Sequence, residues 1–208
     1  MEQKYWIFDL FGTLIGGDGA EKVYIEALDG LFKGVEYWTV NAYVGVTDFG
    51  SVDVCIAKSL EKFNLTASEE QIKIFKERWG LWKKLIRLED GAIEVLAELK
   101  KKGCILGLVT NDNNLIGDLI EKFDLEKYFD VIISSYKVGI AKPNPKIYEL
   151  CAEKLGAKVF SEITMVGDKL DRDVEPPKAL GMKGILYDPY QKNLEYLYRI
   201  SNLSELIS

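Results

Sequence analysis

Histidine is missing from all 208 residues. That absence excludes serine–histidine triads, cysteine–histidine pairs and histidine-ligated zinc. Acid–base chemistry is left to carboxylates, lysine, tyrosine and water. Cysteine is scarce: Cys55, Cys104 and Cys151 are far apart, odd in number and in no metal-ligand spacing. They read as reduced core thiols of a cytoplasmic protein. No apolar run approaches the ~18 residues that span a bilayer, and the N-terminus lacks a signal-peptide pattern. There is no basic stripe or polybasic cluster, and the net charge of -6 is spread over both signs. Neither nucleic acid nor membrane is therefore expected as a partner. Glutamine is scarce and lysine far outnumbers arginine, which leans towards a thermophilic source.

What is present is ordinary for a soluble globular chain: 48% apolar and 29% charged residues, enough to bury a core in one domain or one domain carrying an insertion. "KYWIFD", residues 4–9, predicts a buried strand by its apolar density. "IGGDGA", 15–20, predicts a flexible turn. From there to about Leu88 the pattern is helical and rich in aromatics. Ser68 and Gln71 form a capping box, and the helix after them carries Ile72, Phe75, Trp79, Trp82 and Leu85 on one face.

From Asp90 strand and helix alternate. Asp90 can cap a helix carrying Val95, Leu96 and Leu99 that ends at three lysines and Gly103. Strands are expected over 104–110, 130–134, 162–168 and 183–188. A helix is expected over 111–123, and another from Asn144–Pro145 to Gly156. Such alternation implies an α/β parallel sheet with right-handed crossovers, joined by the first strand. The expected division is a core of residues 1–15 and 89–208 with 16–88 inserted.

Ligands of such sheets sit outside the carboxyl ends of the strands. Asp9 ends the first strand, Thr110 and Asn111 the second and Asp168 the fourth, and Lys142 begins the helix after the third. Each alone could be a cap or turn residue; together they converge on one edge. "DLFGTL", "LVTN", "GIAKPNPKIY" and "MVGDKLDRDVEPPKALGM" resemble, in order, the four motifs of the haloacid dehalogenase superfamily. The resemblance implies a Rossmann-like core, a helical cap domain over the site and a covalent aspartyl intermediate. Asp9 would be the nucleophile. Thr110, Asn111 and backbone N–H groups would hold the transferring group, with Lys142 offsetting its charge. Asp9, Asp168 and the backbone carbonyl of Phe11 would suit magnesium, with Asp173 steadying its waters. Asp171 reads as a solvated loop charge.

One position departs from the phosphatase pattern. Phosphatases of this family carry a second aspartate two residues after the nucleophile, and here that residue is Phe11. Losing a general acid–base typically lowers a rate ~10²- to 10⁴-fold. The dehalogenase branch carries an aromatic residue there, since halide leaves without a proton, and Tyr148 fits its third motif. Against that branch, the first arginine is Arg78, well past the expected place near Val40 and Asn41, and the fourth motif keeps Asp168 and Asp173. Two carboxylates so close would raise one pKa unless a cation lay between them. Three readings follow: a magnesium-dependent phosphatase of a small metabolite, a 2-haloacid dehalogenase-like hydrolase, or a non-catalytic phosphate-binding protein. A phosphonate-cleaving reaction would need a cap lysine, for which Lys58 and Lys62 are conceivable. Gly16, Gly17 and Gly19 fit no nucleotide loop and read as a hinge. Trp38, Trp79 and Trp82 suit a cap core better than a pocket wall. Pro176 and Pro177 should delay the start of their helix. The sequence leaves monomer and homodimer both open.

Overall fold

The computed structural model describes residues 4–17, 19–115 and 118–208, and the side chain of Trp38 also lies outside that description. The expected turn over 15–20 therefore includes one undescribed residue, Asp18.

Six parallel strands form the main sheet, in the order β5-β4-β1-β6-β7-β8. They are β1 (Tyr5–Phe8), β4 (Ile105–Thr110), β5 (Val131–Ser134), β6 (Ile163–Gly167), β7 (Lys183–Tyr187) and β8 (Arg199–Ile200). The central strand β1 is buried along its whole length, as a parallel strand covered on both faces must be. Its side chains alternate between two cores: Trp6 and Phe8 pack with Leu106, Leu108 and Val166, whereas Tyr5 and Ile7 pack with Val109, Ile133 and Met165. Full burial of a side chain such as Ile7 contributes about 1.5–3 kcal/mol.

Among the described residues four helices lie between Gly16 and Arg87: α1 (Ala20–Leu31), α2 (Tyr37–Val44), α3 (Val52–Lys62) and α4 (Glu69–Leu85). A two-stranded antiparallel ribbon, β2 (Ile15–Gly16) with β3 (Arg87–Leu88), forms the neck of this segment. The capping box of α4 forms as expected, with reciprocal bonds between Ser68 and Gln71. Phe75, Trp79 and Trp82 are buried and Ile72 and Leu85 partly so, where α4 packs on α1.

The remaining helices are α5 (Ala92–Lys101), α6 (Asp118–Lys122), α7 (Ser135–Val138), α8 (Pro145–Leu155) and α9 (Glu175–Ala179). Asn144 caps α8 and Gly156 ends it in the left-handed conformation, matching the expectation. Two expectations need correction. The residue at the N-cap of α5 is Gly91, with φ 81°, and not Asp90. The helix expected over 111–123 leaves 111–115 as loop, where Asn113 accepts a bond from the Leu115 N–H and so competes with helix formation. Before the proline-containing α9, residues Leu170–Val174 form one wide π turn, unforeseen from sequence. Cys55, Cys104 and Cys151 are free and buried. Among the described residues no helix is long and apolar enough to cross a membrane.

Candidate active site

The strand register brings the polar residues together. Phe8 pairs with Leu108 on one side and Val166 on the other, so Asp9, Thr110 and Asp168 leave three adjacent strands at one edge. The Asp9 N–H donates to Val166 O at 2.9 Å, fixing where its side chain emerges. Asp173 enters from the wide turn after β6, and Lys142 from the segment before α8. One carboxylate oxygen from each of Asp9, Asp168 and Asp173 lies within 4.8 Å of the others.

Lys142 Nζ lies 2.5 Å from Asp9 Oδ1 and 2.6 Å from Asp173 Oδ1. Thr13 Oγ1 donates to the other Asp9 oxygen at 3.3 Å. Lys169 donates its backbone N–H to Asp173, and its Nζ stands 2.8 Å from Asp168 and 3.0 Å from Glu21 of α1. Burial pushes Asp9 up to about 7; Lys142 opposes this while Asp173 and Asp168 add to it. Asp168 is raised to about 6, again chiefly by burial and against the pull of Lys169. Burial acts to lower Lys142, but Asp173 and Asp9 outweigh it and hold the ammonium charged. Crowded, buried carboxylates of this kind favour uptake of a proton or a cation. The donors are all hard oxygens, which suit a small divalent ion.

Gly12 is required here. Its φ is +84°, and a Cβ on it would lie 2.4 Å from Asp168 Oδ2. Thr110 Oγ1 is buried without a hydrogen-bond partner among the described residues, a state disfavoured by roughly 1–3 kcal/mol unless a ligand oxygen meets it.

These groups open on a cavity of about 500 Å³. Asp9, Phe11, Thr110, Asn111, Lys142, Asp168 and Asp173 all line it, and Tyr24, Tyr37, Asn41 and Trp82 face them from the helical segment. The ring of Phe11 lies 5.8 Å from that of Trp82. Asn111 differs from its expected ligand-binding part. Its side-chain carbonyl accepts the Lys142 N–H at 2.8 Å and its amide donates to Lys142 O at 2.9 Å. Both ends therefore serve to position Lys142. Asp171 is exposed, within the π turn rather than a loop, 3.9 Å from Arg172 Nε. Lys58 and Lys62 are exposed on α3 and do not line the cavity. Trp79 is buried in the helical segment, whereas Trp82 reaches the cavity wall. Buried Tyr148 donates its hydroxyl to the Arg172 carbonyl, bracing the turn that carries Asp173.

Sequence reasoning missed a second buried group. Ser134 donates to Asp112, the Asp112 N–H bonds Ser135 Oγ at 3.0 Å, and the Ser135 hydroxyl donates to Gly45 O after α2. Asn114 accepts the Phe49 N–H at 3.2 Å. Strand ends β4 and β5 are thus tied to the helical segment. Burial lifts Asp112 to about 6, against the Ser134 hydrogen bond. Only the polar run "NDNN" after β4 signalled this in the sequence.

Comparison with known proteins adds an independent line. A profile described as haloacid dehalogenase-like hydrolase matches residues 4–181. A glyceraldehyde 3-phosphate phosphatase of Methanocaldococcus jannaschii is 32% identical over 129 residues, covering 59% of this chain and 56% of that protein. The chain spans about half the length of the curated relatives it matches. Among solved structures, an HAD phosphatase from Thermococcus onnurineus superposes with a TM-score of 0.66 at 24% identity, covering 98% of this chain and 95% of that one. A 2-haloacid dehalogenase from Pseudomonas syringae pv. Tomato does so with a TM-score of 0.64 at 22% identity, covering 99% and 97%. The shared fold accommodates both chemistries and does not choose between them.

Proposed function

The chain belongs to the haloacid dehalogenase-like hydrolases, and on that footing we propose that it is a magnesium-dependent phosphatase of a small phosphorylated metabolite. The observation that carries this reading is the trio Asp9, Asp168 and Asp173, drawn within 4.8 Å, with buried Lys142 between Asp9 and Asp173 and Lys169 on Asp168. A halide-releasing site has no need of such a cluster; a site that handles a phosphoryl dianion through a divalent ion does. A relative named a glyceraldehyde 3-phosphate phosphatase supports the same choice.

In this reading Asp9 attacks phosphorus and carries the phosphoryl group until water releases it. Thr13 keeps one Asp9 oxygen oriented. Thr110 offers its unpartnered hydroxyl to a phosphoryl oxygen, and Lys142, held by Asn111, offsets the charge that accumulates there. Asp9, Asp168 and the Phe11 carbonyl would hold magnesium, with Asp173 beside them. Bound there, the ion would neutralise phosphoryl charge and ease attack by a carboxylate. Segment 16–88 is the lid domain and the ribbon at its neck the hinge, so closure excludes water from the cavity.

One observation favours the dehalogenase reading: Phe11 supplies an aromatic wall and no proton. Against it, Arg78, the first arginine of the chain, bonds Glu26 O within the helical segment and does not line the cavity. The test is hydrolysis of 4-nitrophenyl phosphate with and without magnesium. Wild type should turn over only with the ion, and Asp9→Asn should be inert. Activity on 2-haloacids without metal, and none on the phosphate, would reverse the assignment.

A further inference from the structure

An alcohol leaves phosphorus as a poor alkoxide unless something protonates it, and the water that follows needs a base. Phe11 can do neither, so another cavity group must serve if the phosphatase reading, on which this inference rests, holds. The carboxylates around the cavity are mostly committed. Asp173 is paired with Lys142, and Asp168 and Glu21 share Lys169. Asp188 accepts the backbone N–H groups of Lys192 and Asn193 at 2.9 and 2.8 Å. Asp112 is turned towards Ser134 of β5, on the side of β4 away from Asp9.

Glu89 is placed differently. It follows β3 at the neck of the helical segment, half-buried, with its side chain on the cavity wall. Its backbone N–H donates to Leu14 O at 3.0 Å, tying it to the loop that follows Asp9. A Cβ on Gly16 would lie 2.2 Å from Glu89 Oε1 and 3.8 Å from Gly12 Cα. One carboxylate oxygen therefore lies no more than about 6 Å from Gly12 Cα, in space that Gly16 leaves open. Tyr187 of β7 donates its hydroxyl to Glu89 Oε2 at 3.1 Å, and the Gly17 N–H also bonds the carboxylate. We propose that Glu89 is the proton carrier of the reaction, reaching the site from the second strand of the neck in place of a residue at position 11.

The steps balance. An Asp9 oxygen bonds to phosphorus, the ester P–O bond breaks, and the Glu89 carboxyl proton passes to the departing oxygen, releasing an alcohol. Water then attacks phosphorus and gives its proton to the Glu89 carboxylate, and the aspartyl P–O bond breaks. Inorganic phosphate leaves and both carboxyl groups are restored. Protonation of the resting group is favoured by burial, which raises Glu89 above an ordinary glutamate; Tyr187, Arg87 and Gly17 oppose this and Asp90 adds to it.

The test uses Glu89→Gln with magnesium and a series of aryl phosphates, from 4-nitrophenyl to phenyl to 4-methoxyphenyl. Relative to wild type, kcat on the 4-methoxyphenyl ester should fall ~10²- to 10⁴-fold. Dependence on leaving-group acidity should steepen, and the 4-nitrophenyl ester should give a burst of nitrophenolate followed by slow turnover, because the second step has lost its base. A loss below fivefold overturns the inference. So does an equal loss across the series without a burst, which marks Glu89 as structural. Wild type inert towards every ester in the series, with magnesium present, removes the phosphatase reading and this inference with it. Active wild type with an unselective variant removes the inference alone.

Discussion

Replacing Lys142 with methionine isolates the electrostatic core of the site. The substitution keeps an unbranched apolar stem of similar length and removes the cation. It leaves Asp9 and Asp173 facing one another with side chains 8% and 2% exposed. Removing one partner of a buried ionic cluster typically destabilises by about 3–5 kcal/mol. For a chain of this size each kcal/mol moves the melting midpoint about 2–4 °C, so a drop of roughly 6–20 °C is expected in EDTA at pH 7.5. The pH dependence follows from the sign of the shift. Asp9 already titrates at about 7 in the fold against 3.8 unfolded, and losing Lys142 raises it further. The folded variant therefore binds protons that the unfolded chain releases, and its stability falls as pH rises from about 4 to 8. The deficit against wild type should shrink at pH 5 and widen at pH 8. Magnesium should recover part of it, about 2.7 kcal/mol at a hundredfold excess over its Kd. Differential scanning fluorimetry across pH, with EDTA or magnesium, measures all of this. A midpoint within 2 °C of wild type at pH 7.5, or a deficit unchanged at pH 5, would refute the reasoning.

Three further substitutions probe separate supports. Gly12→Ala forces a left-handed alanine, costing about 1–2 kcal/mol, and drives a methyl group into Asp168; calorimetric titration should show magnesium binding weakened tenfold or more, and unchanged affinity would remove Gly12 from the account. Tyr148→Phe leaves the Arg172 carbonyl without its buried donor, so urea melts should show a loss of about 1–3 kcal/mol; a loss under about 0.5 kcal/mol would mean water replaces the hydroxyl. Asp112 is raised from 3.8 to about 6, so its buried charge burdens the fold fully above pH 6 and not below pH 4. Asp112→Asn should therefore melt above wild type at pH 8, by about 1–3 kcal/mol, and with it at pH 4; a difference independent of pH contradicts this.

The strands were legible in the sequence because a parallel sheet needs buried apolar runs, and "YWIF", "ILGLVT" and "ITMVG" are such runs. Asp9 and Asp168 were legible because each is the first residue after such a run, and Thr110 because it ends one, and strand ends of a parallel sheet share an edge. Asn144 and Gly156 were legible as local backbone signals. What stayed hidden depends on contacts between distant segments. Nothing local separates Asn111, which braces Lys142 through two bonds, from an asparagine that reaches a ligand. Lys169 carries no local signal, because its partner Glu21 reaches it only from α1. Glu89 carries none either, and its closeness to Gly12 arises only through the ribbon that pairs Ile15 with Leu88.

The same ribbon bears on why a phenylalanine can stand at position 11. Its ring joins Trp82, which lies 5.1 Å from Tyr24 and 5.0 Å from Trp79, and Trp79 stacks on Phe75 at 5.9 Å. An aromatic column thus runs from the turn after Asp9 into the centre of the helical segment. A carboxylate at position 11 would end that column with a charge. Phenylalanine instead packs the turn against the helical segment and keeps the wall beside Lys142 and Asp9 apolar, where charge interactions are strongest. Packing at position 11 and proton transfer from position 11 are therefore competing uses of one site. The neck offers a second route to the same space, because β3 returns from the helical segment one residue before Glu89. A site that uses position 11 to pack against the helical segment can take its proton from the residue after the strand that closes the neck, provided residue 16 has no side chain in the way.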